Sequence, residues 1–357
     1  WQPITSATTA WNIRQLMDTW AVETGCDPEE NGPLAHDFSY RGMAGIEAAS
    51  ASGAGHLISF IGSDSLSAWD YIMSTYPKTE GVIQIGVPAT EHAVMTAGAN
   101  VRENGTMDER EQVQRLLDLY PQGFVSVVSD SYDYWDMITT VLPEFKEQIM
   151  KRDGRYVVRP DSGNPVDIVT GDPNAQPGSA EHKGTLEVLW EIFGGVINEK
   201  GYKVLDPHIG VIYGDSMNYN TINEMCSRME AKGFATCNIV FGLGSYNYQY
   251  VTRDSYGFAM KTTWVEVDGK PKSVFKDPKT AQNVKSSARG LLTLTEKKGQ
   301  RVFKQDVHAS VEAREKYNDV FNLVFKNGVI MNMEDDFQKI RKNLQYASKR
   351  AKDNEWF

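Results

Sequence analysis

The side chains able to do chemistry fall in seven short polar clusters. They are His36-Asp37-Phe38-Ser39-Tyr40-Arg41-Gly42, Gly62-Ser63-Asp64, Pro88-Ala89-Thr90-Glu91-His92, Ser129-Asp130-Ser131, Arg159-Pro160-Asp161-Ser162-Gly163, Gly214-Asp215-Ser216 and Gly242-Leu243-Gly244-Ser245. Carboxylates such as Asp130, Asp161 and Asp215 can accept ribose hydroxyls and stabilise a cationic sugar centre. Arg41, Arg159 and the Gly-rich turns suit phosphate oxygens at helix starts. The combined chemistry is that of a phosphorylated sugar. His92, beside Glu91 at the first turn of an expected helix, has the makings of a nucleophile or an acid-base group, and reads equally well as a hydrogen-bonded structural histidine. Each cluster alone is a weak signal, because an Asp before a Ser at a strand end also serves as a helix N-cap worth about 1 kcal/mol. Their repetition is the stronger observation.

The elements that must position these clusters follow from the apolar pattern. Short uniformly apolar runs at 57–60, 82–87, 124–128, 156–158, 209–213 and 239–241 read as strands buried on both faces of a parallel sheet. Helical patterns follow at 66–76, 92–103, 134–150, 186–199 and 221–232, the last stopped by Gly233. Serial strand-helix units predict an α/β fold, either a doubly wound sheet or a β/α barrel, with function beyond the carboxyl ends of the strands. The polar clusters sit at those ends. The stretch 171–184, rich in Gly, Pro and Asn, predicts an inserted surface loop. After about residue 255 the pattern changes to hairpins, including one turning on Asn327-Gly328, and ends in an amphipathic helix over about 335–349 whose Lys and Arg residues are expected to face water. The predicted organisation is a lead-in, 1–25, belonging to the smaller domain, a β/α barrel-like domain over 26–250, and a smaller α+β domain of antiparallel hairpins over 251–357.

Composition narrows the partners. In 357 residues, 47 acidic side chains outnumber 37 basic ones, for a formal net charge of -10. That balance argues against wrapping nucleic acid or lying on an anionic membrane, which need surplus Lys and Arg. No apolar run approaches the roughly 20 residues of a membrane span. Cys26, Cys226 and Cys237 form no C-x-x-C pair and are expected as free thiols in a cytoplasmic protein.

Eight segments, HDFSYRG (36–42), GSD (62–64), VPATEH (87–92), VSVVSDSYD (125–133), VRPDSGNP (158–165), GDS (214–216), VTRD (251–254) and VFKDP (274–278), occur in the order and at the spacing of a known family. The chain resembles the nicotinamide phosphoribosyltransferases, from Trp1-Gln2-Pro3 through the closing FQKIRKN (337–343). The resemblance implies a β/α barrel with a smaller mixed domain, assembled as a homodimer with shared active sites. It implies that nicotinamide displaces pyrophosphate from 5-phosphoribosyl-1-pyrophosphate to give nicotinamide mononucleotide, with Mg²⁺ carried mainly by the substrate phosphates and ATP as co-substrate. Position by position, Phe38 would stack on the pyridine ring, and Asp64 and Arg159 would hold the carboxamide. Arg41 and His92, with Glu91 alongside, would line the pyrophosphate region. Asp130, Asp161 and Asp215 would lie near the ribose and the leaving group, and Gly214, Gly244 and Ser245 would meet the 5'-phosphate. Arg253 and Lys261 would reach the phosphate from the neighbouring subunit, and Lys276 would lie near the phosphates.

Two departures from the family stand out. Ser245 and Tyr246 occupy places usually given to glycine, which narrows the expected phosphate pocket. The family's N-terminal section, which would supply a tyrosine to the second ring face from the partner, has no counterpart before Trp1. Three competing readings remain at this point: nicotinate as the acceptor, disfavoured by a carboxylate at Asp64; a binding or scaffold fragment without activity; and a β/α-barrel glycosidase, disfavoured by two Arg at carboxylate-bearing strand ends.

Overall fold

A computed structural model describes residues 1–214, 217–276, 287–297, 300–306, 310–311 and 319–352. Contacts divide the chain into two units, Trp1–Thr252 and Arg253–Phe357.

In the first unit six strands, β1 (Ala35–Asp37), β2 (Gly62–Ser63), β3 (Gln122–Val128), β4 (Asp153–Arg159), β5 (Ile209–Tyr213) and β6 (Ile239–Leu243), form one parallel sheet in the order β2-β1-β6-β5-β4-β3. That order is sequential around a circle, as in a barrel. The run at 82–87, expected as a strand, closes the gap between β2 and β3 as an irregular stave. Ser63 N–H donates to Ile85 O at 3.0 Å, and Thr90 N–H donates to Ser126 O at 2.9 Å. The α/β barrel-like fold expected from the sequence is the observed one, with inward residues enclosing a largely apolar cavity of about 430 Å³ rather than a filled core.

Helices cover the outside. α1 (Gln2–Thr24) buries Ala10, Ile13 and Met17 against the barrel unit. The lead-in, expected with the smaller domain, is therefore part of the first unit. α2 (Ile46–His56) packs on α1 through small residues, and a Cβ on Gly55 would collide with the Pro3 carbonyl. Neither helix is evident from apolar periodicity, because Ala, Gly and Ser pack by close approach rather than by a hydrophobic stripe. The run at 57–60 is not a strand: Leu57 caps α2 and Phe60 N–H donates to His56 O at 3.1 Å, so its apolar side chains are buried from a turn.

α3 (Leu66–Thr75) and α8 (Tyr219–Ala231) lie where the sequence puts them, as does a helical run over 134–150 that contains a π-turn at Met137–Val141. Two helices are shorter than expected. α4 (His92–Gly98) gives way to a hairpin of Asn100–Val101 with Met107–Asp108, and α7 (Thr185–Phe193) stops at Gly194, whose φ of 73° favours glycine, before a hairpin of Gly195–Ile197 with Lys203–Leu205. α5 (Arg110–Leu119) and α6 (Pro165–Thr170) complete the set. The 171–184 stretch is a loop holding one helical turn, Ala180–Lys183, capped by Ser179.

Among the described residues the second unit carries three hairpins, Trp264–Val267 with Lys270–Ser273, Thr293–Lys297 with Gln300–Lys304, and Phe325–Lys326 with Val329–Ile330. Asn327 and Gly328 both take positive φ, 51° and 81°, as a two-residue turn of this kind requires. α9 (Phe337–Lys352) follows. Its charges are not all in water as expected: Arg341 is buried, its guanidinium lies 5.1 Å from the Phe337 ring centroid, and burial lowers its pKa to about 10.

Candidate active site

Beyond the carboxyl ends of the barrel strands lies a cavity of about 670 Å³. Ten of the expected site residues line it: Phe38, Arg41, Asp64, Glu91, His92, Arg159, Asp161, Gly214, Gly244 and Ser245. They arrive from different strands, so the barrel brings together groups more than 200 residues apart in sequence.

The floor is built around Phe38. Asp37 is fully buried at the end of β1 and accepts the Ser39 N–H at 2.9 Å, which turns the chain and sets Phe38 over the cavity. Glycine is required beneath the ring. A Cβ on Gly242 would come within 2.7 Å of Phe38 Cδ2, and one on Gly214 would collide with Asp161 Oδ1. Asp64 stands at the end of β2 with Oδ1 3.0 Å from His36 Nε2. Its side chain is 50% exposed rather than buried, so charge effects there are screened by water. His36 shares the inward face of β1 with Phe38, two residues on, and holds Asp64 in place. It was not among the expected site residues, and the i, i+2 spacing along β1 was the available signal.

The opposite wall is a carboxylate-histidine array. Asp130 Oδ2 accepts the Asp161 N–H at 2.9 Å and the Ser162 hydroxyl at 2.6 Å, tying the ends of β3 and β4 together. Tyr213 secures the same loop by donating to the Ser162 and Gly163 carbonyls. His92 opens α4 with Nε2 3.9 Å from Asp130 Oδ1 and 3.8 Å from Asp161 Oδ2, and its Nδ1 lies 3.4 Å from Ser131 Oγ. Those distances leave the imidazole close to both carboxylates without a direct hydrogen bond to either, and 46% of its surface is exposed to the cavity. Ser131 and Ser162 are further contributors that their clusters contained.

Helix capping falls to other residues. Asp133, Asn164 and Asn218 accept the first-turn N–H groups of the following helices, which leaves Asp130 and Asp161 for the site. Arg159 is buried, donates from Nη2 to the Thr90 carbonyl at 2.6 Å, and keeps an Nε with no hydrogen-bond partner among the described residues. Gly42 and Ser245 approach so closely that a Cβ on Gly42 would overlap Ser245 Oγ, while nothing crowds Gly244. Tyr246 is exposed and packs its ring 4.9 Å from that of Tyr250.

Four expected residues stand apart from this description. Asp215 lies outside the described residues. Arg253, Lys261 and Lys276 belong to the second unit, where all three are exposed, Arg253 pairs with Asp254 at 2.7 Å, and the Lys276 N–H donates to Ser287 Oγ.

The sequence profile of the nicotinate phosphoribosyltransferase (NAPRTase) family matches residues 34–321, a span that includes every strand of the barrel. The chain belongs to that family. As a family member it is 40% identical, across 99% of its length, to a protein of Acinetobacter baylyi named nicotinamide phosphoribosyltransferase, of which it covers 69%. It is 37% identical to a protein of the same name from Xanthomonas campestris pv. campestris and 33% identical to one from Mycoplasma pneumoniae, over 82% and 78% of this chain. It spans only 59% and 58% of those two relatives. The family resemblance read from the motifs is thus borne out. Among solved structures, a nicotinate-nucleotide pyrophosphorylase from Pyrococcus furiosus shares the fold, with a TM-score of 0.54 at 15% identity over 98% of this chain and 70% of that one.

One buried acid behind the array was not foreseen. Glu109, 5% exposed, keeps Oε1 without a hydrogen-bond partner among the described residues. Burial first, and the Asp130 charge second, raise its pKa from the ordinary 4.5 to about 7, against the opposing pull of Arg102. The folded chain therefore binds this proton more tightly than the unfolded one. That contribution to stability is fully present below about pH 4.5 and is lost as pH rises through about 7. Glu109→Gln, which cannot ionise, should gain on the wild type by on the order of 2 kcal/mol between pH 4.5 and pH 8. Parallel denaturation curves at the two pH values measure it, and an unchanged difference would mean that Glu109 titrates normally.

Proposed function

We propose that this member of the phosphoribosyltransferase family transfers the phosphoribosyl group of 5-phosphoribosyl-1-pyrophosphate to nicotinamide, forming nicotinamide mononucleotide and pyrophosphate. The observation that carries the reading is the pairing, across one cavity, of an aromatic platform bearing a carboxylate (Phe38 and Asp64) with an array of His92, Asp130 and Asp161. The names of the relatives support it.

In this reading the pyridine ring stacks on Phe38, an aromatic contact of about 1 kcal/mol beyond area burial, and its carboxamide N–H donates to Asp64. Arg159 offers the amide oxygen an N–H. Breaking the anomeric C–O bond leaves positive charge on the sugar and negative charge on the departing pyrophosphate. Asp130 and Asp161 face the first, while Arg41 and His92 face the second. Gly214 and Gly244, by their lack of bulk, and Ser245, by its backbone N–H and hydroxyl, receive the 5'-phosphate.

We also propose Mg²⁺ and ATP as participants. Among the described residues no three His, Cys, Asp or Glu side chains converge as a metal cage, and Asp130 Oδ1 is a buried oxygen with no hydrogen-bond partner. That donor set fits an ion carried on substrate phosphates and touched by one or two carboxylates. Bound Mg²⁺ would supply charge neutralisation on the leaving group.

The alternative acceptor, nicotinate, is favoured by the family's name and opposed by Asp64. Nicotinate has no amide donor and brings a second carboxylate, and like charges about 4 Å apart repel by ~4 kcal/mol at an effective dielectric near 20. Half-exposure of Asp64 weakens that repulsion, so discrimination of about 10- to 100-fold is expected rather than exclusion. Asp64→Asn should lower kcat/KM for nicotinamide about 10-fold and raise it for nicotinate. Assays of both acceptors with one phosphoribosyl donor decide this, and a ratio fixed at the wild-type value would remove Asp64 from specificity.

For ATP, the expected event is transfer of the γ-phosphoryl group to His92, whose imidazole is exposed to the cavity. Labelled ATP should give an acid-labile adduct that is absent in His92→Ala, and equal labelling of the variant would refute the assignment.

Assembly belongs to the same proposal: a homodimer in which Arg253 and Lys261 of one chain serve the phosphate in the site of the other, with Lys276 near the phosphates. Mixed dimers of an Arg253→Ala chain and a Phe38→Ala chain should then recover a measurable share of wild-type activity, because one hybrid site holds both groups. Demonstrated heterodimers without recovery would rule this out.

A further inference from the structure

We propose that Cys26 and Cys237 form a reactive dithiol, with Cys26 as the nucleophile and Cys237 as the resolving thiol, that closes reversibly to a disulfide on reaction with a hydroperoxide. The two residues lie 211 apart in sequence and are held side by side by the fold. α1 ends in a left-handed cap at Gly25, which delivers Cys26 to the segment leading into β6. Thr24 clamps that segment: Thr236 N–H donates to Thr24 Oγ1 at 3.0 Å, and the two hydroxyl oxygens are also 3.0 Å apart.

The clamp leaves Cys26 Sγ facing a backbone donor. Cys237 N–H reaches it at 3.3 Å, and Thr24 Oγ1 lies 3.8 Å away. A sulfur that accepts a hydrogen bond from a backbone N–H is stabilised as thiolate. The titration behaviour agrees. The Cys237 thiol above all, then its backbone N–H and the Thr24 and Thr236 hydroxyls, lower the Cys26 pKa to about 6 against the effect of burial, while the Cys237 pKa is raised. The pair is thus a thiolate beside a protonated thiol. The contact with Cys26 first, then burial and last the Glu30 charge raise the Cys237 pKa, while Arg155 on β4 offers Cys237 a positive charge.

Neither thiol is sealed off. Both are partly exposed, and Cys237 lines the cavity inside the barrel, whereas Cys226 is buried. A small hydroperoxide can reach the pair through that space. The Cys26 thiolate attacks one peroxide oxygen, the O–O bond breaks, and hydroxide leaves and takes up a proton as water. Cys26 is now a sulfenic acid, oxidised by two electrons while the peroxide is reduced. Cys237 then gives up its proton and attacks the Cys26 sulfur, expelling the hydroxyl as a second water. In net terms two thiols and one hydrogen peroxide give one disulfide and two waters.

The experiment treats the reduced, folded chain with hydrogen peroxide and follows intact mass and peptide linkage. The expected result is a loss of two mass units, a peptide pair joined through Cys26 and Cys237, and full recovery with dithiothreitol. Cys237→Ser should instead trap the sulfenic acid, so that dimedone labels Cys26, and Cys26→Ser should give neither product. An independent measurement needs no variant: iodoacetamide should modify wild-type Cys26 at least 10-fold faster than Cys237 at pH 7, with the Cys26 rate half-maximal near pH 6. Three free thiols after peroxide, a linkage involving Cys226, or equal alkylation of Cys26 and Cys237 would each overturn the proposal.

Discussion

A buried carboxylate joins the two strand ends on which the site is built. Asp130 sits at the end of β3, yet its Oδ2 is satisfied by the backbone N–H of Asp161 and the hydroxyl of Ser162 at the end of β4. A carboxyl group that is 3% exposed is tolerated only where such donors replace water. The bond therefore locks the Asp161 loop to β3. With one oxygen so engaged, the other is turned toward His92. Loss of this tie would release the loop that carries Asp161 and expose an unpaired charge, so the geometry of the array depends on it.

The rest of the cavity depends on absence of bulk. Phe38 can lie across the strand ends only because Gly242 presents no Cβ beneath it, and Gly214 leaves the same room for Asp161. Barrel closure is achieved in the same economical way, by a stretch that makes single bridges to β2 and β3 instead of a full ladder. That stretch ends in Thr90, Glu91 and His92, so the irregular stave is also what delivers the histidine. Its carbonyl at Thr90 anchors Arg159, linking the two walls.

Legibility in the sequence followed the physical origin of each element. Strands β3 to β6 were evident because burial on both faces leaves a continuous apolar run. β1 and β2 were not, because they are only three and two residues long and carry the polar site residues themselves. Helices α1 and α2 escaped notice because their contact rests on small residues at close approach. The run at 57–60 misled for the complementary reason, since a buried turn needs apolar side chains as much as a strand does. Arg341 shows the same limit for charge, as a guanidinium can be buried where an aromatic ring receives it.

The residue types alone determined the chemical repertoire. Carboxylates, a histidine, arginines and glycines at successive strand ends already pointed to a phosphorylated sugar, and their order and spacing to the family. What they left open was which Asp caps a helix and which faces a ligand, because both uses demand the same side chain at the same place in a strand-helix unit. Tertiary structure decided that by supplying Asp133, Asn164 and Asn218 as caps. It also decided that His36 supports Asp64, that Glu109 lies buried behind Asp130, and that Cys26 meets Cys237. These are contacts between segments far apart in the chain, and no local pattern encodes a distance that only closure of the barrel creates.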